Sequence, residues 1–133
     1  MSWRWVLLKT VLAVHDRQID DHGGMPGIRD KGLLESALQR PRSVAAYRED
    51  VDVFDLAAAY GYSLVQNHAF FDGNKRTAYT TTRLFLELNG FTLTAPAPDR
   101  VLAFLRVATG RYGQDDLAAW LRGQARKKCD ELV

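Results

Sequence analysis

Apolar residues recur along this chain at helical rather than alternating spacing, and they mark out six stretches. Trp3, Val6, Leu7, Val11 and Val14 predict an amphipathic helix from Trp3 to about Arg17. Gly23-Gly24-Met25-Pro26-Gly27 interrupts it, because three glycines and a proline in five residues call for backbone angles that no regular element supplies. That loop reads either as a connector or as a flap beside an active site. Asp30 is placed to cap a short helix bearing Leu33, Leu34, Ala37 and Leu38, expected to stop before Pro41. A polar stretch to Asp50 follows.

Asp52 is the next N-cap, with Asp55 in the first turn and Phe54, Ala58, Gly61, Leu64 and Val65 along one face of a helix ending near Asn67. Another helix is expected to open near Asn74 and run through Leu84, Phe85 and Leu88 to an Asn89-Gly90 cap. Thr80, Thr81 and Thr82 weaken its intrinsic propensity, so it should depend on packing and be the buried helix. Phe91-Thr92-Leu93 reads as briefly extended. Pro96 and Pro98 lead into a helix with Val101, Leu102, Leu105 and Val107 that stops at Gly110, and a last helix is predicted from Gln114 to Lys127. Neither a strand run nor a repeat stands out, and the predicted fold class is all-α: a compact single-domain bundle of about six helices spanning residues 1–133.

Composition narrows the class without naming a function. With 47% hydrophobic and 26% charged residues the chain is too apolar for disorder, and its length suits one core. The 18 basic and 16 acidic residues nearly balance, so nothing calls for a nucleic-acid partner. Arg126-Lys127-Lys128, in a charged tail at about 124–133, reads as a solvated last helical turn. Arg4 and Lys9 interrupt the apolar N-terminal run, no cleavage pattern follows it, and no stretch is long enough to span a membrane. The single Cys129 has no partner for an internal disulfide. A reducing, cytoplasmic setting is expected.

The candidate chemistry lies in the motif core, residues 68–76: His68-Ala69-Phe70-Phe71-Asp72-Gly73-Asn74-Lys75-Arg76. A base, a carboxylate, a glycine turn, an amide and two cations precede a helix, where backbone N–H groups and the helix dipole favour an anion. Phosphoryl transfer asks for such positioning and charge, with little covalent work from the protein. A lone histidine at a helix end is usually structural, but with this company His68 is the candidate general base, since imidazole exchanges protons near neutral pH. Asp72 is the candidate magnesium ligand, because that ion takes one or two protein carboxylates and completes its shell with water and phosphate. The alternative is an Asp-Gly turn bonding its own backbone. Gly73 allows close backbone approach, Asn74 can offer its side-chain amide and its N–H, and Lys75 and Arg76 supply a point charge and a planar fork. Adjacent helical residues diverge by about 100 degrees, so Lys75 and Arg76 need not face one ligand. Phe70 reads as a core anchor.

This nonapeptide resembles the signature of the Fic/Doc superfamily, with every fixed position met. Gly23 to Asp30 and Gly32 to Leu38 are similar to the death-on-curing (Doc) branch, the toxins of toxin–antitoxin modules, and the likeness runs over roughly residues 10–123. The resemblance implies a helical Fic fold in which His68 activates a target hydroxyl, Asp72 binds Mg2+, and Gly73, Asn74, Lys75 and Arg76 hold the phosphates of ATP. Typical Fic enzymes carry Gly where this chain has Lys75 and transfer AMP; the Doc branch carries Lys and transfers the terminal phosphate to a threonine of elongation factor Tu, halting translation. AMP transferases commonly add an arginine three places after Arg76, where Tyr79 stands here. The inhibitory pattern found within many Fic proteins does not occur, which implies a separate, Phd-like antitoxin. Three readings follow: a protein kinase toxin, an AMP transferase, and a silent module that binds nucleotide or a partner.

Overall fold

In the computed structural model, which describes residues 2–128, six helices surround a common core and two short strands close one side. They are α1 (Leu8–His22), α2 (Lys31–Tyr47), α3 (Val53–Asn67), α4 (Asn74–Leu88), α5 (Ala97–Ala108) and α6 (Gln114–Gly123), with strands β1 (Phe91–Leu93) and β2 (Ala125–Lys127). No helix among the described residues is long and apolar enough to cross a membrane. Cys129 and the end of the expected charged tail lie outside the described residues.

The central helix is α3, which corrects the expectation that α4 is the buried one. Ten residues of α3 are buried against seven of α4. α3 packs on α2, α4 and α6, and an alanine-rich sequence, Ala57-Ala58-Ala59, lets three neighbours approach it. Gly61 marks the tightest contact, since a Cβ there would lie 2.7 Å from Thr82 Oγ1 and 3.1 Å from both Leu117 and Phe104. Thr82 of α4 meets this junction and donates back to the Ala78 carbonyl, and Thr77 and Thr81 of the same helix are also buried. At the other end of α3, Asp52 and Asp55 form the expected reciprocal cap.

Three boundaries differ from the sequence expectation, each because a tertiary partner replaces a local bond. The first helix starts at Leu8, not Trp3. Residues 2–7 are not helical because their backbone is bonded elsewhere: the Asn89 amide pairs with the N–H and C=O of Arg4, and the Tyr60 hydroxyl with those of Val6. The second helix does not stop before Pro41 but runs on to Tyr47. Proline has no N–H for the Ala37 carbonyl, and the Ser63 hydroxyl on α3 stands in, 2.9 Å from that carbonyl, its one proton shared with the Ala59 carbonyl at 2.6 Å.

The last helix ends at Gly123 rather than Lys127. Residues Ala125–Lys127 leave it to pair antiparallel with β1, Phe91 opposite Lys127 and Leu93 opposite Ala125. Arg126 and Lys127 therefore sit on a strand rather than on a last turn of α6, and Lys128 serves the end of α4 instead, reaching the Glu87 carboxylate at 2.8 Å and donating to the Glu87 carbonyl at 3.2 Å. The extended reading of Phe91-Thr92-Leu93 holds, and its partner strand was not foreseen.

Candidate functional site

The site begins where α3 ends. His68 has φ 49° and ψ 51°, the only left-handed non-glycine residue among those described. That conformation costs roughly 1–2 kcal/mol and needs support from its surroundings. Arg29 provides it, donating from Nε to the His68 carbonyl at 2.7 Å and from Nη2 to the Asn67 carbonyl at 3.2 Å. Carbonyls that the last turn of a helix leaves bare are thereby bonded.

The glycine-rich loop lies directly beside this turn, as the flap alternative requires. Ile28 pairs antiparallel with Phe70, and the N–H groups of Arg29 and Asp30 both donate to the Ala69 carbonyl, at 2.7 and 3.0 Å. The chain reverses within a few residues and exposes the His68 side chain.

Asn74 holds the motif loop together. Phe70 N–H donates to its Oδ1 at 3.1 Å, and its Nδ2 donates to the Phe70 carbonyl at 2.9 Å. This buried ring of bonds gives the side-chain amide a loop-closing role beyond the anion contact expected of it, and it leaves the Asn74 backbone N–H outside the ring. Phe70 is 1% exposed and anchors the loop as read from the sequence. Gly73, at φ 79°, is the N-cap of α4 and brings no side-chain cap, and the first turn carries no acidic residue. An uncapped N-terminus flanked by exposed Lys75 and Arg76 offers an anion both positive charge and hydrogen-bond donors.

Asp72 is exposed, yet two elements hold it. Met25 N–H donates to its Oδ2 at 2.6 Å, and His15 Nε2 lies 2.8 Å from its backbone carbonyl. The loop comes this close because residue 24 is glycine: its φ is +113°, and a Cβ there would lie 3.0 Å from the Asp72 Cβ. Among the described residues no cluster of three or more His, Cys, Asp or Glu could cage a metal. A single oriented carboxylate beside this helix start fits Mg2+ shared with phosphate and does not fit an all-protein metal centre.

Two clefts open on either side of the turn, and both are lined by Gly73, Asn74 and Lys75. The smaller, about 330 Å³, adds His68 and Asp72, with Gln66, Phe71 and Ala108 on its walls. The larger, about 530 Å³, lies between α1, α4 and α5 and takes in Arg76, Tyr79, Arg100 and Phe104. The structure thus brings His68, Asp72, Gly73, Asn74 and Lys75 into one space and turns Arg76 towards the other. Arg100 was not singled out in the sequence, and its guanidinium lies 5.1 Å from the centre of the Tyr79 ring. No local pattern joins two residues 21 positions apart.

The Fic/DOC family pattern matches residues 5–86, well over half of the chain, and takes in the whole motif. The chain belongs to the Fic/DOC family. It is 34% identical over 119 residues to "Protein kinase doc" of Escherichia phage P1, covering 90% of this chain and 94% of that protein. It is 42% identical over 109 residues to "Toxin Doc" of Mycolicibacterium smegmatis, covering 77% of this chain and 82% of that one. Both belong to the Doc branch, to which the Gly23 to Leu38 segment already pointed. The Fic/DOC match ends within α4, so the α5 wall of the larger cleft, with Arg100, lies beyond it.

His15 and Arg29 are the supporting residues the sequence reading passed over. His15 follows Val11 by four positions on the apolar face of α1, and both are buried. A polar residue on that face was the available signal.

Proposed function

We propose that this Fic/DOC protein is a Doc-type toxin of a type II toxin–antitoxin system, a protein kinase that moves the γ-phosphoryl group of ATP onto a threonine hydroxyl of elongation factor Tu and so halts translation in the bacterial cytoplasm. The observation that carries the reading is the convergence of His68, Asp72 and Lys75 on one cleft at the uncapped start of α4. Names of the two relatives, a kinase and a toxin, support it.

In this reading the backbone N–H groups of Gly73, Asn74 and Lys75 receive the phosphate chain, which lies across the helix N-terminus between the two clefts. Lys75 lines both and so can hold it at either side. A Mg2+ ion bound at Asp72 would neutralise phosphate charge. His68 takes the proton of the target hydroxyl as its oxygen bonds to the γ-phosphorus, the bond to the β-phosphate oxygen breaks, and ADP leaves. The left-handed turn held by Arg29 keeps the imidazole on the cleft wall rather than in the core.

Lys75 decides which end of ATP is presented. A long cation fills space that glycine would leave, and it draws the phosphate tail so that its outer phosphorus faces His68. Lys75→Gly is therefore expected to lower γ-phosphoryl transfer by about 10- to 100-fold, the equivalent of a hydrogen bond to a charged group, and to allow label from the α position to appear. An unchanged rate defeats this account.

The larger cleft is read as the seat of the antitoxin. Lys75, Arg76 and Arg100 surround a floor of Tyr79, Val101 and Phe104, which suits an acidic amphipathic segment. Incubation of the protein and elongation factor Tu with Mg2+ and ATP, labelled separately at α and γ, tests the whole proposal. Label from γ alone is expected. Label from α means AMP transfer, and no label on any hydroxyl leaves a silent binding module.

A further inference from the structure

We infer that His15 is a positioning residue for Asp72, holding it in the orientation that a metal–phosphate complex needs. This rests on the reading of Asp72 as the metal ligand. His15 is 2% exposed, and a packing role alone would not select a histidine at that depth. Its ring stacks on Phe70, centroids 3.8 Å apart and planes within 8°, while Nε2 lies 2.8 Å from the Asp72 carbonyl. A carbonyl oxygen only accepts, so this nitrogen carries the proton and donates, which sets the tautomer.

One imidazole thus grips the loop twice, by its face at Phe70 and by its edge two residues later. The consequence reaches both functional groups of the turn. The peptide joining Asp72 to Gly73 is planar and trans, so pinning its carbonyl towards α1 sends the Gly73 N–H the opposite way. The same constraint fixes the backbone torsion at Asp72 and with it the direction of the Cα–Cβ bond from which the carboxylate projects. Met25 N–H on Oδ2 secures the far end of that side chain. α1 and the glycine loop together therefore form a cradle for one aspartate, in which His15 is the part made by a side chain.

Three variants of the full chain separate this role from simple core packing, with Mn2+ binding followed by electron paramagnetic resonance in the presence of a nonhydrolysable ATP analogue. Asp72→Ala is expected to abolish tight Mn2+ binding. His15→Phe keeps a ring to stack on Phe70 but removes the donor; it is expected to weaken Mn2+ binding by about tenfold, as lost outer hydrogen bonds at metal sites do, with little change in melting temperature. His15→Gln, which keeps an N–H, should recover part of that loss. Wild-type Mn2+ affinity in His15→Phe, alongside its loss in Asp72→Ala, overturns the inference and leaves the proposed function standing. Wild-type affinity in Asp72→Ala overturns both.

If His15→Phe does not fold, nitrogen NMR of the wild-type ring decides. A proton on Nε2 and a shift of that resonance when Mg2+ and the analogue are added support the role. A proton on Nδ1 alone, or a ring signal unmoved while the Asp72 amide shifts, overturns it.

Discussion

The two clefts share the Gly73 to Lys75 turn, yet they are built in opposite ways. The smaller takes His68, Asp72 and the first turn of α4 from one continuous segment, and its chemistry was visible as a nine-residue motif. The larger draws Gln18 and His22 from α1, Arg76, Tyr79 and Thr80 from α4, and Arg100, Val101 and Phe104 from α5. One cleft holds an imidazole and a carboxylate, the proposed base and metal ligand; the other holds cations over an aromatic floor. The difference teaches that one continuous segment can bring reactive groups together, whereas a cleft between helices gathers its lining from several of them, as the proposed catalytic and antitoxin roles of the two would require. It also separates two losses that activity assays alone would merge, failure to react and failure to be restrained.

Breaking the first cleft is expected to have the largest effect. His68→Ala should reduce phosphoryl transfer by at least about 100-fold, the usual contribution of a positioned base, while nucleotide binding and antitoxin binding stay near wild type. Transfer at the wild-type rate would remove His68 from the mechanism. Breaking the second should do the reverse. Arg100→Ala is predicted to leave transfer within about twofold and to weaken binding of the cognate antitoxin by about tenfold, as expected for one charge-assisted hydrogen bond, read by calorimetry. If transfer falls and antitoxin binding does not, the two clefts have been assigned the wrong way round.

A charged cluster remote from both clefts sharpens the comparison as a control on stability. Arg122 on α6 donates to Asp52 at 2.9 and 3.1 Å and to Asp55 at 3.3 Å. Burial pushes the Asp52 carboxyl up, but hydrogen bonds from Arg122 and from the Asp55 N–H, with the Arg122 charge, outweigh it and hold it below the ordinary carboxylate range. A carboxyl depressed in the folded state adds stability above its unfolded pKa, and that stability is lost as pH falls through its folded value. Arg122→Met should therefore cost about 1 kcal/mol at neutral pH in denaturant titrations, and the gap from wild type should close in acid. Both clefts should behave normally in this variant. A gap that persists at low pH would mean that Arg122 stabilises through packing on Phe54, 5.7 Å away, rather than through charge.

How far the sequence reached depended on whether a bond partner lay near in the chain. The Asp52 and Asp55 cap, the ends of α3 and α4 and the motif turn were legible because their donors and acceptors lie within a few residues of one another. Pro41 was misjudged for the converse reason: the Ala37 carbonyl it leaves bare is bonded by Ser63, 26 residues away. Strand β2 was missed because three residues paired to a distant edge carry no alternation long enough to see. The loop-closing role of Asn74 was not legible, since only the folded loop shows its amide closing on Phe70.

By itself the sequence determined the helical class, the family and the candidate groups for chemistry, because periodicity, caps and a contiguous motif are local properties. Tertiary structure alone decided which of those groups share a space: that Lys75 stands between two clefts while Arg76 faces one, that Arg100 comes to lie over Tyr79, and that His15 and Met25 hold Asp72. Hydrogen bonds and charges act over a few ångströms, and the chain covers that distance only by folding elements far apart in sequence against one another.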